Sequence, residues 1–129
     1  MAARILLVEA DVVLGAVLGE VLRHNGYEVI PVGSLRDQVA DMPPVDAIVL
    51  DLDTTSVERE LTWLEMLLSS AETLPVVLMG LEPSVDLNSH VGRLLGRQQA
   101  RGLRWVQKPF RNEELLAAVQ RVNGNAVTE

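Results

Sequence analysis

The chain has 129 residues, a hydrophobic fraction of 48% and a formal net charge of −7, which suits one domain with a substantial core. The acidic balance argues against a nucleic-acid or anionic-membrane surface, and the absence of cysteine excludes disulfides, thiol catalysis and thiolate metal sites. No signal peptide and no apolar run of the roughly 20 residues that span a bilayer can be recognised, so we expect a cytoplasmic protein.

The first half of the chain predicts two strands and two helices. The apolar run Ile5–Val8 is the first strand, and a helical stripe from Leu14 to Leu22 follows it, with Asp11 as its N-cap. A second strand, Tyr27–Val32, comes after the turn signal Asn25-Gly26. Ser34 then caps a short predicted helix that carries Leu35, Val39 and Met42.

The second half continues the same alternation of strand and helix. The predicted strands are Ala47–Leu50, Val76–Met79 and Leu103–Gln107. A predicted helix follows each strand. The third helix carries Leu61, Leu64 and Leu68 and is capped by Thr55 or Ser56. The fourth carries Leu87, Val91, Leu94 and Leu95, and the fifth carries Leu115, Val119 and Val122 and is capped by Asn112. Apolar runs without alternation are typical of parallel strands that helices cover on both faces.

Five strand–helix repeats predict a parallel sheet with right-handed crossovers. A closed barrel needs eight such repeats. We therefore predict an α/β fold with an open, doubly wound, five-stranded parallel sheet in the flavodoxin-like order 2-1-3-4-5. Residues 1–122 form this domain and residues 123–129 form a C-terminal tail.

Charged residues follow several of these strands, at the edge where open α/β sheets bind ligands. They are Glu9 and Asp11 after the first strand, Asp51 and Asp53 at the end of the third, and Lys108 after the fifth. Crowded carboxylates attract Mg²⁺, lysine can hold a phosphate oxygen, and a carboxylate can form an acyl phosphate. The set suggests phosphoryl transfer onto an aspartate, whereas each acid taken alone is more often a helix cap.

Four segments resemble, in order, the receiver domains of bacterial response regulators. They are Arg4–Asp11 (RILLVEAD), Asp46–Asp51 (DAIVLD), Leu74–Val77 (LPVV) and Trp105–Phe110 (WVQKPF). The resemblance covers residues 4–122. It implies a signal-transduction module of a two-component phosphorelay, and a cis bond between Lys108 and Pro109.

The resemblance also implies roles for single residues. Asp51 matches the phosphoacceptor, and Lys108 matches the lysine that contacts the phosphoryl group. Trp105 matches the aromatic switch position. Glu9, Asp51 and the backbone carbonyl of Asp53 match ligands of the metal ion.

Several departures from the family pattern predict an atypical receiver domain, and three of them concern the site residues. Ala10 stands in place of the principal metal-binding acid, Gly80 in place of the switch Ser or Thr, and Trp105 in place of Tyr, Phe or His. We therefore expect Mg²⁺ to bind weakly or not at all, with Asp11 as an alternative ligand. Without a hydroxyl at position 80, phosphorylation has little differential contact with which to shift a two-state equilibrium.

Two functions stay open. One is a receiver that accepts a phosphoryl group on Asp51 from a histidine kinase or other signalling protein. The other is a phosphorylation-independent pseudo-receiver that acts as a protein-interaction module. An enzyme or flavin protein on this fold is disfavoured. The chain has no glycine-rich phosphate loop and only four aromatic residues, and no Ser/Thr/Gly loop follows the first strand.

A candidate partner face involves the predicted fourth helix, fifth strand and fifth helix. It holds Trp105 and a set of arginines close to two glutamates: Arg93, Arg97, Arg101 and Arg104, with Glu113 and Glu114. Tryptophan and arginine are enriched at interface hot spots, so this face predicts a homodimer or a partner contact. The alternative is that Trp105 packs inward and the arginines are solvated.

Overall fold

A computed structural model describes residues 2–38, 41–52, 57–68, 74–80, 92–93, 96–97, 103–108 and 110–122. The strands and helices within this part of the chain are β1 (Arg4–Val8), α1 (Val12–His24), β2 (Glu28–Val32), β3 (Ala47–Asp51), α2 (Val57–Leu68), β4 (Val76–Gly80), β5 (Arg104–Gln107) and α3 (Asn112–Val122). None of the helices in these ranges is long and apolar enough to cross a membrane.

The five strands are parallel and lie in the order β2-β1-β3-β4-β5. This confirms the predicted doubly wound α/β sheet. Val8 of β1 pairs with Leu50 of β3. Glu9 and Asp51, which each come one residue later, therefore lie side by side at the carboxyl edge of the sheet.

Apolar side chains cover both faces of the sheet, which is why the strands read as continuous apolar runs. The face towards α2 buries Leu6, Val8, Ile48, Leu50, Val76 and Leu78 with Leu61, Leu64 and Leu68. The face towards α1 and α3 buries Ile5, Leu7, Ala47, Val49, Val77 and Met79 with Leu18, Leu22, Leu115 and Val119.

The edge strand β2 bonds to β1 through every second residue. The N of Glu28 donates to the O of Ala3, and the O of Val32 accepts from the N of Glu9, both at 2.9 Å. Because bonding direction alternates along a strand, the backbone groups of residues 29 and 31 point away from β1. Pro31 occupies one of those two outward positions, opposite Leu7 in the register.

The second predicted helix is wrong as an extended helix. In the described part of this segment only a 3₁₀ turn, Arg36–Gln38, is helical. The Oγ of Ser34 does accept a hydrogen bond from the N of Arg36 at 3.1 Å. Residues 41–45 have no regular structure, because Pro43 and Pro44 cannot continue a helix.

Helix ends follow local chemistry. Asp11 caps α1 as predicted, since its Oδ1 accepts from the N of Leu14 at 3.0 Å. Asn112 is the first residue of α3 and not its cap; Glu114 accepts instead from the N of Arg111 at 2.8 Å. Several predicted features lie outside the described residues: the caps Thr55 and Ser56, the tail 123–129 and most of the fourth predicted helix. Within that helix, residues 92–93 and 96–97 are described and are helical.

Candidate functional site

Asp51 and Lys108 meet at the carboxyl edge of the sheet. Asp51 ends β3 with only 6% of its side chain exposed, and the Nζ of Lys108 forms an ion pair with its Oδ1. The N of Lys108 donates to the O of Gly80 at 2.8 Å. This bond extends the ladder between β4 and β5 by one residue and so positions the lysine beside the aspartate.

Glu9 lies next to this pair as a buried acid, 9% exposed. Its Oε2 accepts from the N of Asp11 at 3.1 Å, but its Oε1 is buried without a hydrogen-bond donor among the described residues. Burial first, then a hydrogen bond to Asp51, raise the pKa of Glu9 to about 7. The hydrogen bond from the N of Asp11 lowers this pKa, the charge of Asp51 raises it less strongly, and the charge of Lys108 lowers it least. Near neutral pH, Glu9 is therefore protonated in part of the molecules.

The described residues do not form a complete site for Mg²⁺. Ala10 contributes only an exposed methyl group, and Asp11 is engaged as the cap of α1. No group of three or more His, Cys, Asp or Glu side chains suited to a metal ion occurs within the described ranges. Two carboxylates, one of them already paired with a lysine, do not match the oxygen-rich shell that Mg²⁺ requires. Asp53 and Pro109 lie outside the part of the chain that the structure describes.

Trp105 packs against Gly80, so the two residues that were predicted as switch positions are in contact. A Cβ atom at Gly80 would lie 3.4 Å from the Cζ2 of Trp105 and 3.4 Å from the O of Leu52. The indole is half-buried against the core on the α2 side of the sheet. Its Nε1 is buried without a hydrogen-bond partner in the described structure. The geometry supports inward packing of Trp105 over an exposed hot spot.

A cleft of about 350 Å³ opens beside Asp51, between the end of β1, the turn Arg36–Gln38 and α2. Its lining includes Glu9, Ala10, Asp51, Arg36, Arg59 and Trp63. Within the described part of the chain, neither Arg36 nor Arg59 has a carboxylate partner for its guanidinium. Neither arginine was predicted as a site residue, because their positions depend on how the turn and α2 pack together.

Glu60 is a second residue that the sequence did not identify. It is only 6% exposed, and its two oxygens accept from the N of Leu35 and the Oγ of Ser34, each at 3.0 Å. These bonds join α2 to the turn after β2 and form one wall of the cleft. The partners are 25 and 26 residues away in sequence, so no local sequence pattern predicts the contact.

Part of the predicted partner face is engaged within the chain. The Nε of Arg97 lies 3.1 Å from a carboxylate oxygen of Glu65 in α2, and Glu114 bonds to the N of Arg111. Arg104 and Glu113 are exposed. Arg101 lies outside the described residues.

Comparison with known proteins identifies solved structures of the same fold but no matching sequence family. No family model matches the chain, and no curated protein matches it either. Among solved structures, chemotaxis protein CheY4 of Vibrio cholerae aligns with a TM-score of 0.71 and 24% identity, covering 95% of this chain and 99% of that chain. The signal receiver domain of a signal transduction histidine kinase from Syntrophus aciditrophicus aligns with a TM-score of 0.73 and 24% identity, covering 99% and 96%.

A third similar structure is the DrrB receiver domain activated by beryllium fluoride. It aligns with a TM-score of 0.71 and 24% identity, covering 95% of this chain and 97% of that chain. The chain therefore has the fold of response regulator receiver domains. The resemblance described from its sequence is confirmed at that level.

Proposed function

We propose that this chain is an atypical receiver module of a two-component signalling system, with Asp51 as its phosphoacceptor. The observation that carries the proposal is the ion pair between Asp51 and Lys108 at the carboxyl edge of the sheet. A carboxylate oxygen of Asp51 forms a bond to phosphorus while the bond from phosphorus to the donor nitrogen breaks, and the leaving nitrogen takes up a proton. The ammonium of Lys108 stabilises the phosphoryl oxygens.

The phosphodonor is a histidine kinase or another signalling protein that presents a phosphohistidine. The module transmits a signal in the cytoplasm and is not itself an enzyme. Structures of the same fold include a chemotaxis protein and a receiver domain of a histidine kinase. Ala10 removes a metal-binding acid, so Mg²⁺ binding is weak or absent and transfer is slow.

Intact-mass measurement after incubation with phosphoramidate tests Asp51 directly. The native chain should gain the mass of one phosphoryl group, and Asp51→Asn should gain none. Lys108→Ala should slow the gain by at least about tenfold, as expected for loss of one charge-stabilising contact. Asp41→Asn, at an exposed aspartate, is the matched control and should behave like the native chain. Equal labelling of Asp51→Asn would refute Asp51 as the acceptor.

The second candidate function is phosphorylation-independent binding of a partner protein or of a second copy. The packing of Trp105 against Gly80 favours it, because the space beside position 80 is filled by the ring and no hydroxyl is available there to follow a phosphoryl group. Sedimentation and pull-down of the native chain, Asp51→Asn and Trp105→Ala distinguish the two. Association that Asp51→Asn abolishes and Trp105→Ala leaves intact would exclude the phosphorylation-independent function.

A further inference from the structure

The cleft beside Asp51 contains polar groups that lack partners in the described structure. Glu9 is nine-tenths buried, lines the cleft, and has one oxygen without a donor. Arg36 and Arg59 line the same cleft, and their guanidiniums have no described carboxylate partner. Glu60, a further buried acid that lines the cleft, already accepts hydrogen bonds from Ser34 and Leu35.

A phosphoryl group on Asp51 needs more positive charge than Lys108 alone supplies. Such a group carries close to two negative charges in place of the single charge of the Asp51 carboxylate, while Lys108 contributes one positive charge. In this chain the described acids do not form a divalent-cation site, since Ala10 offers no ligand. Another source of positive charge at this edge would lower the electrostatic cost of holding the anion.

Arginine suits this task in both charge and shape. Its guanidinium stays protonated at any ordinary pH and can donate two parallel hydrogen bonds to a phosphate. Arg36 stands in the 3₁₀ turn and Arg59 in the first turn of α2, so they approach the cleft from two elements. Ala10 lines the same cleft with a small side chain.

We infer that Arg36 and Arg59 take the place of a divalent cation, so that this cleft binds a phosphoryl oxyanion beside Asp51 without metal. The inference deepens the proposed receiver function and rests on it for the identity of the anion. The remaining charged lining residue, Asp37, is exposed and adjoins Arg36 in the turn. Its negative charge partly offsets the positive charge of Arg36.

Anion binding can be measured without any covalent step. The chain has two tryptophans, and only Trp63 lines this cleft. The indole N–H signal of Trp63 in a ¹H–¹⁵N spectrum is therefore a local reporter of binding. The spectrum of Trp105→Phe identifies this signal, because it retains only the indole of Trp63. Titration with inorganic phosphate in EDTA should move the Trp63 signal. The double variant Arg36→Ala/Arg59→Ala should weaken phosphate binding at least about tenfold. Arg36→Lys/Arg59→Lys, which is the double lysine variant, should restore part of the affinity, because lysine keeps the charge but lacks the two parallel donors of a guanidinium.

Controls separate a specific site from general electrostatics. Arg121→Ala removes an exposed arginine from α3, on the opposite face of the sheet, and should leave phosphate binding unchanged. The double lysine variant keeps net charge constant, and circular dichroism of each variant establishes that it is folded. A Trp63 signal that does not respond to phosphate, or that responds equally in the double alanine variant, would overturn the inference.

Phosphoramidate labelling in EDTA then relates the anion site to Asp51. The native chain should be labelled without Mg²⁺, and the double alanine variant should be labelled at least about tenfold more slowly. Labelling that requires Mg²⁺ and is equally fast in the native chain and the double alanine variant would overturn the inference while leaving Asp51 as acceptor. Phosphate binding that depends on the arginines, with no labelling under any condition, would uphold the anion site and refute the proposed phosphoacceptor.

Discussion

Replacing Glu9 with glutamine should remove a pH-dependent loss of stability. Burial and the neighbouring Asp51 raise the pKa of Glu9 from its ordinary 4.5 to about 7. Because the folded-state pKa lies above the unfolded value, the neutral form is favoured by folding. The associated stability is fully present below about pH 4.5 and is lost as the pH rises through about 7.

The expected size follows from the same pKa. At 1.36 kcal/mol for each tenfold change in proton affinity, the native chain should lose about 2–3 kcal/mol relative to Glu9→Gln between about pH 5 and about pH 8. Glutamine has nearly the volume of glutamic acid and can donate a hydrogen bond to Asp51, so the variant keeps the contact without the ionisation.

Urea unfolding followed by circular dichroism at several pH values measures this difference. Subtracting the two curves cancels every other titrating group that the chains share. Glu113→Gln, at an exposed position of α3, should show no such trend. A difference between native chain and Glu9→Gln that stays constant from about pH 5 to about pH 8 would refute the burial of Glu9 beside Asp51.

Three further substitutions test the site. Ala10→Asp restores a carboxylate and should tighten Mg²⁺ binding in isothermal titration; equal affinity in the native chain would contradict the incomplete metal site. Gly80→Thr should push the indole of Trp105 towards solvent and shift its fluorescence to the red. Gly80→Ala should leave the fluorescence unchanged, because a Cβ atom at position 80 meets its neighbours at 3.4 Å. Glu60→Ala should lower the free energy of unfolding by about 2–3 kcal/mol, since the N of Leu35 loses its buried acceptor; a loss below about 0.5 kcal/mol would contradict that role.

Much of the fold could be predicted because the strands are covered on both faces. Ile48 and Val49 are neighbours that point to opposite faces, and both are fully buried, so the apolar run itself indicated a parallel strand. The meeting of Asp51 and Lys108 followed from the rule that parallel strands end at one edge. Neither prediction required knowledge of side-chain packing.

The remaining features depend on packing between distant segments. Glu60 reads as one of several acids on a helix, and only the folded chain brings it to Leu35. Trp105 could face either way on a short edge strand, and its contact with Gly80 decides the matter. The error in the second predicted helix could have been avoided from the sequence, because Pro43 and Pro44 cannot continue a helix.

Pro31 in the edge strand β2 bears on how the protein behaves at high concentration. An exposed strand edge offers unpaired N–H and C=O groups on which a strand from another molecule can form a ladder, the first step of many aggregation reactions. Of the two outward-facing N–H positions in β2, residues 29 and 31, the proline ring occupies one and has no hydrogen to donate. Intermolecular strand addition at β2 is therefore disfavoured by the covalent structure of one residue, independently of the chemistry proposed at Asp51.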